Sequence, residues 1–200
     1  MTTVAIRAVL FDLGGVLLPF DRERRIAALV DRTGATADAA RAFMALELHH
    51  RLDLGEATEL DVAAEFAAFF GLRVSPQEGA DLLCSVFEPP NHELWALAAR
   101  LRRRAVVGGF SDNPSLVVQV FPEGAFLEPL FLSCEIGACK PSDAAFAAVE
   151  AALGMAAAQQ ILFIDDTLAN VEAARARGWD AIHFTANAAL MAELARRGLP

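Results

Sequence analysis

Lysine occurs once in this chain, tyrosine not at all, and cysteine three times. Basic charge is scarce throughout, with 17 Lys and Arg against 26 Asp and Glu and a net charge of −9. Nucleic acids and anionic membrane surfaces are bound by clustered positive charge, so both are set aside as partners. Cys84, Cys134 and Cys139 are odd in number and lack C-x-x-C spacing. That indicates neither a disulfide framework nor a zinc site, and reads better as buried free thiols in a reducing compartment. No apolar run approaches membrane length, and MTTVAIRAVLFD reaches an acidic residue too early for a signal peptide. The expectation is a soluble, cytoplasmic protein.

Core material is plentiful. Hydrophobic residues are 55% of 200, enough for one large domain or a core domain carrying a smaller one. Of the 17 cations, sixteen are arginine and one is Lys140, in Gly137-Ala-Cys-Lys140-Pro141-Ser142. A chain that writes arginine wherever it wants a surface cation has kept one ammonium at one place.

Five short runs rich in Val, Ile, Leu and Phe predict buried strands: Ile6–Phe11, Ala105–Phe110, Leu130–Ser133, Ile161–Ile164 and Ala181–Phe184. They lack polar alternation, as strands covered on both faces do. Helices intervene with marked ends: Asn91 to Arg104, Ser142 to Gly154, Leu168 to Arg177, and Asn187 to Arg197 before Gly198. The alternation predicts an α/β fold, a doubly wound, Rossmann-like parallel sheet of about five strands, with its ligand site at the carboxyl ends. Between Pro19 and Pro90 only helix signatures occur, among them Thr58-Glu-Leu-Asp61 and the capping box Ser75-Pro76-Gln-Glu78. The expected division is a core domain of residues 1–18 and 91–200, with a helical domain of residues 19–90 inserted as a lid.

Chemistry-bearing residues fall at the strand ends. Asp12 follows the first strand and precedes Gly14 and Gly15, whose backbone amides can hold an anion. Asp165 and Asp166 end the fourth strand, and with Asp12 they form an oxygen-rich set suited to Mg2+. Ser111, Asp112 and Asn113 end the second strand and offer a hydroxyl and amides. Each also has a plain reading, as a turn or a helix cap. Lys140 enters a helix beside Pro141, where an ammonium can bridge a carboxylate and a phosphoryl oxygen.

The order Asp12, Ser111, Lys140, Asp165-Asp166 resembles the haloacid dehalogenase superfamily of phosphatases and phosphotransferases over nearly the whole chain. G-x-x-K-P and D-D-x-x-x-N-x-x-A-A-x-x-x-G, here Asp165 to Gly178, are its specific motifs, and D-L-G-G-V a less specific one. The inserted helices look like that family's cap, and Asp53-Leu-Gly-Glu-Ala-Thr58 resembles one of its loops. The resemblance implies that Asp12 is a nucleophile forming an aspartyl-phosphate. It implies that Ser111, Asp112, Gly15 and Lys140 hold the phosphoryl group, and that Lys140 also steadies the nucleophile. Mg2+ would be held by Asp12, the Gly14 carbonyl and Asp166, with Asp165 beside it or acting through water. The implied substrate is a small phosphorylated metabolite such as a sugar phosphate.

Two positions depart from the family pattern. Gly14 stands where most of its phosphatases have the Asp that protonates the leaving group, and Asp112 stands where Asn is usual. Asp112, or a cap group such as His49 or His50, is the expected substitute for that proton transfer. The departures also leave open a weak or inactive relative that works by binding. A halide-releasing hydrolase fits poorly, because its usual form has Tyr two residues after the nucleophile. A response-regulator receiver is excluded by motif order.

Overall fold

The computed structural model describes residues 5–155 and 157–200. The first four residues of the expected core domain lie outside that range. Strands β1 (Ala8–Phe11), β2 (Val106–Ser111), β3 (Leu130–Leu132), β4 (Ile161–Asp165) and β5 (Asp180–His183) form one sheet in the order β3-β2-β1-β4-β5. Every neighbouring pair is parallel. The five expected strands are present with ends moved by one or two residues; β1 begins at Ala8, where its ladder to Val106 and Ile161 begins.

The apolar runs work because both faces are covered. Val9, Phe11, Leu162 and Ile164 point to one face, where α6 (His92–Leu101) and α10 (Asn187–Arg196) supply Leu97, Leu101, Leu190 and Leu194. Leu10, Phe110 and Phe163 point to the other, against Phe146 of α8 (Asp143–Leu153) and Val171 of α9 (Leu168–Ala176). The helix ends follow local chemistry: Asn91 accepts from Leu94 N, Ser142 accepts from Ala145 N, and Gly154 takes φ 57° to stop α8. Thr167 precedes α9 without a side-chain cap bond. Its own amide instead donates to Asp165 Oδ1 at 2.7 Å, tying the helix start to the strand end.

Residues 22–84 are helical: α1 (Arg22–Thr33), α2 (Ala37–Phe43), α3 (Glu47–Asp53), α4 (Glu59–Phe69) and α5 (Pro76–Cys84). The capping boxes at Thr58 and Ser75 both form. These helices pack on a core of their own, built on Ile26, Leu29, Phe43, Leu52, Phe66 and Leu83. Contact with the sheet side runs through Leu116, packed with Ala63 and Ala80, and through Gly55, which passes so close to the Cys134 carbonyl that a Cβ would lie 2.2 Å from it. A short helix α7 (Ser133–Ile136) follows β3. Among the described residues no helix is long and apolar enough to cross a membrane. The three cysteines are unpaired and half-buried, more accessible than the expected core thiols.

Candidate active site

The sheet order places β1 at the centre, with β2 on one side and β4 on the other. The chain reverses its direction of winding here, so loops diverge and leave a crevice beyond the carboxyl ends. Asp12, Ser111 and Asp165 lie at these three ends. Asp12 Oδ1 accepts from Ser111 Oγ at 2.5 Å and from Leu13 N at 2.7 Å. Lys140 Nζ lies 3.1 Å from the same oxygen and 2.7 Å from Asp165 Oδ2, and donates to the Phe110 carbonyl at 3.1 Å. Its ammonium lies 5.3 Å from the centres of both the Phe110 and Phe163 rings. The residue holds the two carboxylates and supplies positive charge at the edge of the crevice.

Asp165 is fully buried and saturated. Besides Lys140 and Thr167 N, it accepts from Asn170 Nδ2 at both oxygens, 3.1 and 3.2 Å away. Asp166 is exposed to the crevice, and one ligand atom from each of Asp12, Asp165 and Asp166 lies within 4.8 Å of the others. Gly15, with φ 75°, is needed here because a Cβ on it would lie 2.1 Å from Asp166 Oδ2. The Gly15 amide donates to the Leu18 carbonyl at 2.8 Å, so it is not free for a phosphoryl oxygen as the sequence suggested. A Cβ built on Gly14 meets nothing within 4 Å.

Four carboxylates, Asp12, Asp112, Asp165 and Asp166, surround one ammonium, and the charge is unbalanced. Burial, opposed by Lys140 and reinforced by Asp165, pushes Asp12 up to about 7. Asp112 and Asp166 are raised as well, chiefly by burial. Burial works against the Lys140 ammonium, yet Asp12, Asp165 and Asp112 lift it above the usual lysine range, so it stays charged. An excess of desolvated carboxylate oxygens around one opening is the donor set a hard divalent cation takes, and the residues fit Mg2+.

The profile of the haloacid dehalogenase-like hydrolases matches residues 6–178, which spans every strand end just described. The chain belongs to this family. No curated protein matches it. Among solved structures it resembles a predicted hydrolase of the family from Porphyromonas gingivalis (25% identity, covering 96% of this chain and 99% of that one, TM-score 0.78). It also resembles a family enzyme from Bacteroides thetaiotaomicron (22% identity, 92% and 96% covered, TM-score 0.77). Another structure of that enzyme is a complex with magnesium and inorganic phosphate. L-2-haloacid dehalogenase from Xanthobacter autotrophicus is more distant, at 19% identity, 95% and 82% covered, and TM-score 0.61. The last two likenesses show the fold.

In this haloacid dehalogenase-like hydrolase, the crevice around Asp12 opens to a second cavity of about 340 Å³ under α1–α5, and Gly14, Phe20, Asp112 and Asn113 line both. His49 faces that cavity, its Nε2 3.0 Å from the Phe43 carbonyl and its pKa lowered by burial. His50 is exposed and does not line it, which weakens it as a proton donor. Asp112 holds Lys140 N at 2.9 Å. Two polar residues there carried no sequence signal as a pair. Asp53 is half-buried and pushed up to about 7, by burial and then by Asp112. The Arg25 guanidinium lies 4.6 Å from the Phe20 ring centre and 4.3 Å from that of Phe87. Both residues come from helices that only the tertiary fold brings to the sheet.

Proposed function

We propose that this haloacid dehalogenase-like hydrolase is a Mg2+-dependent phosphatase of small phosphate monoesters, sugar phosphates or similar metabolites, acting through an aspartyl-phosphate on Asp12. The observation that carries this reading is a buried carboxylate at the central strand end, held through one oxygen by Ser111, Leu13 N and Lys140. Asp12 then attacks phosphorus; an O–P bond forms and the ester P–O bond breaks toward the leaving oxygen, which takes up a proton. Water cleaves the acyl phosphate and returns the carboxylate. Lys140 fixes Asp12 and Asp165 relative to each other and balances one of their charges. Ser111, the Gly14 carbonyl, Asp166 and, at one remove, Asp165 complete the assigned set. Bound Mg2+ would supply positive charge against the phosphoryl oxygens, held by Asp12, Gly14 and Asp166.

Asp112 is the assigned substitute for the proton transfer that Gly14 cannot perform; its raised pKa and its place in both cavities support this. Residues 19–90 act as a lid over the crevice. Half-buried unpaired thiols accord with a reducing, cytoplasmic setting. Gly14 also favours a second reading, a weak or inactive relative that binds phosphorylated ligands.

Phosphate release from p-nitrophenyl phosphate tests the proposal. Wild type is expected to turn over with Mg2+ and to stop with EDTA, and Asp12→Asn to be inactive. Metal-independent activity, or activity in Asp12→Asn, would overturn it, and silence on a broad ester panel would favour the binding reading.

A further inference from the structure

The cavity under α1–α5 has a chemical character that narrows the substrate. Its walls are mostly apolar, with Leu29, Phe43, Met44, Leu52, Leu83 and Phe87 among them. Its volume is at the small end of ligand pockets, which run from roughly 300 Å³ upward. Because Gly14, Asp112 and Asn113 line both this cavity and the crevice around Asp12, a phosphoryl group beside Asp12 directs its leaving group into it.

The polar groups in the cavity are few and partly spent. Asn113 donates to Ser111 Oγ, Asp112 accepts from Lys140 N, and His49 is engaged with the Phe43 carbonyl. A hexose carries several hydroxyls, and each one buried without a partner costs affinity. Asp53 and Arg25 differ from the others, because among the described residues neither side chain has a hydrogen bond or ion pair. The acid that acts on Arg25, Glu88, is taken by Arg24 Nη1 at 3.1 Å and by Asp21 N at 2.7 Å. Among the described residues the Arg25 guanidinium has no hydrogen bond or ion pair; it lies against Phe20 and Phe87, and burial lowers it to about 10. A planar guanidinium stacked on rings and lacking an acceptor is suited to receive a carboxylate.

We infer that the substrate is the phosphate monoester of an apolar alcohol, its carbon body in the cavity under α1–α5 and a carboxylate on that body held by Arg25. The inference rests on the phosphatase reading and replaces its sugar with a hydrocarbon body.

The test compares kcat/KM for benzyl phosphate, 4-carboxybenzyl phosphate and glucose 6-phosphate with Mg2+. All three release primary alcohols, so leaving-group chemistry is matched. Both benzyl esters are expected to exceed glucose 6-phosphate by about tenfold or more, as burial of a ring in an apolar site requires. The carboxylated ester should be the better of the two, and Arg25→Ala should erase that difference while the benzyl preference over glucose persists. Glucose 6-phosphate turned over as well as the benzyl esters would overturn the inference with the phosphatase reading intact. A calorimetric titration separates the two claims. Benzylphosphonate should bind more tightly than methylphosphonate, and Met44→Trp, which fills the cavity, should abolish the difference. If no ester is hydrolysed, the phosphatase reading fails, and equal binding of the two phosphonates then overturns the apolar site as well.

Discussion

Lys140 meets three acceptors from three segments of the chain, the Phe110 carbonyl, Asp165 and Asp12, in a pocket closed by two aromatic rings. A tetrahedral ammonium can converge on three such acceptors; a planar guanidinium of larger size cannot. Lys140→Arg keeps the net charge and is expected to lower kcat by about 10²-fold or more, measured as phosphate release, in keeping with loss of a placed charge at a developing one. Retention of most of the activity would reduce the single lysine to a point charge with no geometric role. Gly14 argues the other way, from empty space. A Cβ there meets nothing within 4 Å, so the first atom of an Asp side chain has room in Gly14→Asp. If Asp112 handles the proton, Asp112→Asn should slow an alkyl phosphate by about 10²-fold, within the usual range for general acid–base help, and Gly14→Asp in that background should restore it. An unchanged rate in Asp112→Asn removes Asp112 from the role.

Elements in this fold are held by what lies on both sides of them. Phe146 on α8 is fully buried, with its ring edge-on to Phe110 at 5.2 Å and to Trp179 at 5.2 Å. Phe146→Ala leaves a cavity between helix and sheet and is expected to cost about 3–5 kcal/mol in urea unfolding. The helix starts at Asn91, Thr58, Ser75 and Ser142 were legible because a cap is a local bond between near neighbours in sequence. At Thr167 no side-chain cap forms; the Asn170 amide donates to the Thr167 carbonyl at 3.0 Å instead. The strand ends slipped by a residue or two because ladder partners, not propensity, set where a strand stops.

At the scale of the molecule, the helices over residues 22–84 and the sheet meet across a cavity, and Asp53 reports on that meeting. Its pKa rises from 3.8 to about 7 through burial and the nearby Asp112. The native state therefore keeps a proton that the unfolded chain has released between those values. Stability falls as pH climbs through that window, and the loss is complete above it. Asp53→Asn removes this cost. Its stability gain over wild type is expected to be larger at pH 8 than at pH 4, by on the order of 1–2 kcal/mol after allowance for partial exposure, as read from thermal unfolding. An equal gain at both pH values would show that Asp53 ionises freely. The sequence alone determined the parallel α/β fold and the order of Asp12, Ser111, Lys140 and Asp165-Asp166, because apolar runs, caps and motif spacing are written along the chain. It could not show that Lys140 donates to the Phe110 carbonyl, that the Gly15 amide is occupied, or that Asp53 and Arg25 share one apolar cavity. Those depend on which segments the sheet order and the helical packing bring together, and such distances exist only after folding.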